Sequence, residues 1–138
     1  MKKWILHDLS HIIIPFIVSG IALAYNENLK PLHLFFASLS GALLPDIDHL
    51  NIWREYKFKN LLRFIRFCVT SDRYRLSFLV FHNFWIIVIL IALIPIASMV
   101  NTLAGIFLLS FLCHLFLDFF DDKITIGRST QWLWRRRT

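Results

Sequence analysis

The chain is poor in charge, in glycine and in cysteine, and each shortage closes off a class of function. Only 17% of its 138 residues are Asp, Glu, Lys or Arg, against 57% hydrophobic. A soluble domain of this length leaves too much of its surface facing water to hide that share of apolar side chains, so lipid is the solvent the composition asks for. Its four glycines form no phosphate-cradling loop and no Gly-x-Ser-x-Gly elbow, which removes the common nucleotide-binding and serine-hydrolase signatures. Two cysteines, Cys68 in a basic amphipathic stretch and Cys113 in an apolar run, lack the spacing of a zinc site or a disulfide framework and read as free thiols. Internal repeats and low-complexity tracts are missing too.

What is present is four apolar runs, at about 10–25, 31–44, 76–100 and 102–120. A helix needs about 20 residues to cross a hydrocarbon layer of about 30 Å. The third run is long enough alone and the fourth nearly so. The first two read as a helical hairpin around residues 26–30, the second finishing its span near residue 47. The expected fold is all-α: one integral membrane helical bundle of four spanning helices, with a basic loop at about 50–75 that carries a short interfacial helix.

Charge orients the bundle. Fourteen of the fifteen Lys and Arg side chains lie before the first run, between the second and third, or after the fourth, and only Lys30 falls on the other side. The positive-inside rule then puts both termini and the basic loop in the cytoplasm of a cell-membrane protein. A cleavable signal peptide competes for the first segment, through Lys2, Lys3 and the small-residue pattern Ala22-Leu23-Ala24, but His7, Asp8 and His11 interrupt the region that should be basic and then apolar. In the loop, Phe58, Leu61, Leu62, Ile65 and Val69 share one helical face and Lys59, Arg63 and Arg66 another, the pattern of a helix lying on anionic headgroups. A solvated charged linker is the plainer reading. Trp132 and Trp134 followed by Arg135, Arg136 and Arg137 read as an interfacial anchor. Membrane topology accounts for the basic charge, so nucleic-acid binding is not expected, and oligomeric state is not legible.

Ionisable side chains inside such runs are costly, about 2.5–3.5 kcal/mol for Asp at a helix centre, and mark sites. His11 opens the first run, Asp46, Asp48 and His49 close the second, His82 lies a few residues into the third, and His114, Asp118 and Asp121 line the end of the fourth. The expected topology brings all eight toward one face, with His82 and His114 roughly 9 Å inside the boundary at a rise of about 1.5 Å per residue. His114, Asp118 and Asp121 are spaced i, i+4, i+7 on one helix face, and His7 and His11 are also four apart. Imidazoles and carboxylates converging from several helices are how bundles build metal centres. Carboxylate-rich ligation leaves Mn, Fe or Mg open, and a His-dominated set suits Zn. Taken singly, each residue has a plainer role: a hydrogen-bonded interfacial His, as read for His33, or a turn residue after Pro45.

The stretch Gly41-Ala-Leu-Leu-Pro-Asp-Ile-Asp-His49, together with Ser10-His11 and His114-Leu-Phe-Leu-Asp118, resembles the predicted membrane-bound metal-dependent hydrolases, the family that includes the LexA-regulated inner-membrane protein of enteric bacteria. The resemblance implies a small helical membrane protein with a cytoplasm-facing hydrolytic metal centre. It maps Asp46, Asp48 and His49 onto the first acidic block, His82 onto the second His of a His-Arg-Gly-x-Thr-His-Ser block, and His114 and Asp118 onto the last motif. The third block departs from the pattern: residues 77–83 read Ser-Phe-Leu-Val-Phe-His-Asn, without the first His, the Arg and the Thr. Asp121 stands where the family has Thr. An added carboxylate compensates for those losses, or a metal or the activity has gone with them.

Two functions follow. In the first, His11, Asp46, Asp48, His82, His114, Asp118 and Asp121 hold one or two divalent ions, with Asp46 or Asp48 as general base and His49 as leaving-group acid or supporting residue, on a phospholipid or other phosphoester. In the second, the cluster is a structural metal or hydrogen-bond staple. A proton path is weaker, because the third run beyond Asn83 is almost wholly apolar.

Overall fold

A computed structural model describes residues 2–70 and 79–126, and within these the side chains of 2–10, 52, 65, 66, 68–70 and 121–126 are outside the described set. The described residues are all helical in architecture: α1 (Lys2–Tyr25), α2 (Pro31–Leu43), a 3₁₀ turn (Pro45–Asp48), α3 (His49–Tyr56), α4 (Leu61–Thr70), α5 (Phe84–Val100) and α6 (Thr102–Ile126).

Helix α6 is the shared neighbour of α1, α2 and α5. Its contact with α2 is close because the residues there are small. The Ser38 and Ser110 hydroxyls are both buried and hydrogen-bonded at 2.6 Å. Three residues further along α2, a methyl on Gly41 would overlap the Phe107 carbonyl of α6. Such small-residue contacts let membrane helices approach backbone to backbone. Leu34, Ala42 and Ile106 join Ile14 and Val18 in one apolar cluster, while Ile87, Leu90, Phe111, Leu112 and Leu115 form the second between α5 and α6.

Periodicity explains α1. His11, Ile14, Pro15, Val18 and Ser19 are buried, and Ile12, Ile13, Phe16, Ile17 and Ile21 between them are exposed. The inward face carries the polar atoms and the outward face is apolar, the reverse of a helix facing water. Among the described residues, only 102–120 in α6 is long and apolar enough to cross a membrane by length and composition; the apolar parts of α1 and α5, residues 11–25 and 84–100, are shorter. The four-span expectation therefore rests on one full-length span.

Three boundaries differ from the sequence reading. The third run was expected to be helical from residue 76, but α5 begins at Phe84, where Asn83 caps it by accepting a hydrogen bond from the Trp85 N–H at 3.0 Å. Hydrophobicity alone does not register such a cap. His82 thus precedes the helix instead of lying a few residues into it. α2 gives way to the 3₁₀ turn at Pro45, which has no N–H to continue the α pattern. Among the described residues the basic loop holds two helices, not one. α3 ends at Lys57 in the left-handed conformation, φ 51°, and Trp53 and Tyr56 of α3 stack on Phe64 and Phe67 of α4 with Phe58 between them.

A candidate metal centre

Four segments deliver the cluster. α1 brings His11 on its buried face, the 3₁₀ turn brings Asp46 and Asp48, residues 79–83 bring His82, and α6 brings His114 and Asp118 one turn apart. The turn after Pro45 projects two carboxylates within three residues. The bend before α5 is held by its own backbone, Asn83 N–H donating to the Phe81 carbonyl at 2.8 Å.

Asp118 is the hub. His82 Nε2 stands 2.7 Å from its Oδ2, His114 Nε2 3.1 Å from the same oxygen, and His11 Nε2 3.2 Å from Oδ1. His11 and His114 face each other through their Nδ1 atoms at 2.9 Å, one donating to the other. His114 Nε2 also lies 3.6 Å from Asp46 Oδ1, and His82 Nδ1 lies 3.6 Å from Asp48 Oδ2. Asp48 accepts a short hydrogen bond from the Phe81 N–H. Burial opposes ionisation of Asp48, but the neighbouring His82 ring and a hydrogen bond from the Phe81 amide more than offset it and hold the carboxyl below its usual range. At the edge, His49 Nδ1 stands 3.4 Å from Asp46 Oδ1.

Two groups have the reach of a metal site: His11, His114 and Asp118, and Asp46, His82 and His114, each with ligand atoms within 4.8 Å of one another. His114 is common to both. Atoms bound at about 2.1 Å to one ion stand about 3.0 Å apart at right angles and about 3.4 Å apart at the tetrahedral angle. The His11 and His114 contacts to Asp118, at 3.2 and 3.1 Å, fall in that range, and the His82–Asp118 contact at 2.7 Å and the His114–Asp46 contact at 3.6 Å fall either side of it. The proton count points the same way. His114 Nε2 is buried and makes no hydrogen bond among the described residues, although two carboxylate oxygens lie beside it. The two facing Nδ1 atoms share one proton, so of two neutral rings the one that donates there turns a bare Nε2 lone pair toward Asp118, an arrangement that a cation between them relieves. The residues fit a divalent ion.

Residues 7–134 match the family model described as YdjM inner membrane protein. The chain belongs to the YdjM inner membrane protein family. Membership accounts for the apolar outward faces and puts the chain in the inner membrane. No curated protein and no solved structure matches it.

Of the residues singled out in the sequence, the fold brings together His11, Asp46, Asp48, His82, His114 and Asp118, with His49 at the rim. Asp121 continues α6, but its side chain, like those of His7 and Asp8, lies outside the described residues, as do the terminal Trp/Arg segment and residues 76–78. His33 is exposed near the start of α2, far along the chain from the cluster's turn. One participant escaped the sequence reading: the Phe81 amide, a backbone donor that no side-chain pattern signals.

Proposed function

We propose that the chain is a membrane-bound metal-dependent hydrolase acting on a phosphate-bearing lipid or other phosphoester at the cytoplasmic surface. The carrying observation is His114 Nε2, buried, without a hydrogen bond and facing two carboxylates. The apolar outward faces of α1, α2, α5 and α6 support a bundle embedded by all four helices, and the charge split supports cytoplasmic termini and a cytoplasmic α3–α4 hairpin.

In this reading His11, His114 and Asp118 hold one divalent ion, and Asp46, His82 and His114 form an alternative seat, because the one lone pair of His114 Nε2 serves a single ion. Two imidazoles and one carboxylate per group suit Zn or Fe better than Mg. When bound, such an ion supplies the charge that acidifies water and polarises an ester or phosphoester. Asp46, the most exposed member, accepts the proton of the attacking water, and His49 beside it donates one to the leaving oxygen. Asp48 positions His82 by holding its ring and the preceding amide. Arg54, Lys57, Lys59 and Arg63 raise the local concentration of an anionic substrate.

Elemental analysis of the purified protein and of Asp48→Ala and His114→Ala tests this. Stoichiometric metal in the wild type that falls in both variants is expected; no metal after supplementation ends the reading. A phosphatase and phosphodiesterase screen on lipid substrates then separates enzyme from staple. The staple reading has its own support: at the altered third block the Phe81 ring, where the resemblance has Thr, packs on Phe111 at 5.6 Å, and the buried Leu79 fills the position of the block's Gly. Bound metal without turnover on any phosphoester favours it.

A further inference from the structure

The cluster is closed on most sides and open at one carboxylate. His11, His82, His114 and Asp48 are buried, whereas the Asp46 side chain keeps 46% of its surface. Beside it stands His49, and the exposed residues around it along the chain include Leu43, Ile47 and Leu50, at 49%, 52% and 55%. The backbone from α2 into α3 stays right-handed, Leu44 N–H donating to the Ser40 carbonyl at 3.0 Å and Ile47 N–H to the Leu44 carbonyl at 3.1 Å. Along that path Leu43, Ile47, Leu50 and Arg54 follow at intervals of four, three and four, carried from α2 through the 3₁₀ turn into α3, where Leu50 and Arg54 are one turn apart. Phe36, also exposed, extends the strip back along α2, and the exposed Arg54 ends it one turn beyond Leu50.

A site for a soluble phosphoester needs a wet, polar mouth. Here the accessible edge interrupts an apolar strip that begins at the exposed Phe36 and Leu43 of α2 and ends at a cation. We infer that this strip is a lateral entrance for an anionic phospholipid. An acyl chain lies against Leu43, Ile47 and Leu50, and the phosphate headgroup is drawn between Arg54 and the His/Asp centre. Leu43, Ile47 and Leu50 then set chain specificity and Arg54 sets headgroup charge. What happens to the lipid afterwards rests on the hydrolase reading; its capture does not.

The test is photo-cross-linking of the full-length protein in nanodiscs of phosphatidylcholine with a minor share of phosphatidic acid, read by mass spectrometry of the captured lipid. A photoreactive side chain replaces Leu50 or, as reference, Ile89 on α5, which is also exposed. Phosphatidic acid is expected at position 50 about fivefold above its share of the bilayer, the effect of one cation near a headgroup, and at its bulk share at position 89. Arg54→Gln should bring position 50 to the bulk share. Bulk proportions or no lipid at position 50, or capture abolished by excess inorganic phosphate, overturn the inference. Hydrolysis of a soluble phosphoester without lipid enrichment also overturns it and leaves the proposed activity standing, while enrichment without any turnover supports it and removes the activity.

Discussion

The two ends of the bundle are built from the same helices and treat polar groups in opposite ways. At one end Asn26, Asn28, His33 and Asn101 stand exposed, and Asn26 and Asn101 cap or close turns by accepting backbone N–H bonds. At the other, three imidazoles and the Asp48 and Asp118 carboxylates turn inward and meet one another. A polar residue at the first end spares the chain an unpaired amide, and the gain is local. At the second each residue depends on partners tens of positions away, so the loss of one leaves others stranded in a low-dielectric interior.

That contrast can be broken from either side. His114 belongs to both candidate groups, so His114→Ala should lose essentially all bound metal, where His11→Ala should spare the group formed by Asp46, His82 and His114 and lose only part. Equal loss in the two variants would point to a single seat, that of His11, His114 and Asp118. Below this comes Gly41→Ala, which pushes α2 from the Phe107 carbonyl; a loss of about 1–3 kcal/mol is expected in reversible detergent unfolding, with metal stoichiometry falling in step.

A smaller effect follows acid. The Asp48 carboxyl sits below its ordinary range in the folded chain, so its stabilisation is complete at neutral pH and fades as pH falls from that range through the lower native value. In chelator, the melting-temperature gap between wild type and Asp48→Asn should therefore narrow as pH is lowered from neutral toward about 3. A gap that widens would contradict the assignment. Smallest is His33→Ala at the other end, where neither metal content nor melting temperature should move.

How much of this was legible in the sequence differs by residue. His114 and Asp118 were readable as a pair because four residues in a helix fix their relation, and their i, i+4 spacing survives in the 3.1 Å contact. The position of His82 was misjudged because the run 76–100 was read as one helix straight across the polar pair His82-Asn83, whereas Asn83 caps α5 and starts it at Phe84. The α3–α4 hairpin was hidden for a different reason. Its charges announced a surface helix, but the pairing of Trp53 with Phe64 and of Tyr56 with Phe67 joins rings whose partners no local period specifies. The convergence of four segments came from topology, whereas the distances inside it came only from packing.

The centre also has a place in time. His11 and His114 are 103 residues apart, and at a synthesis rate of about 5–20 residues per second the first is made several seconds before its partner exists. Through that interval the imidazole of α1 has neither Asp118 nor His114 to answer it. Helix α6 therefore completes the centre, and a chain cut short before it would present an unanswered imidazole in an apolar setting, a mark by which an unfinished molecule differs from a finished one.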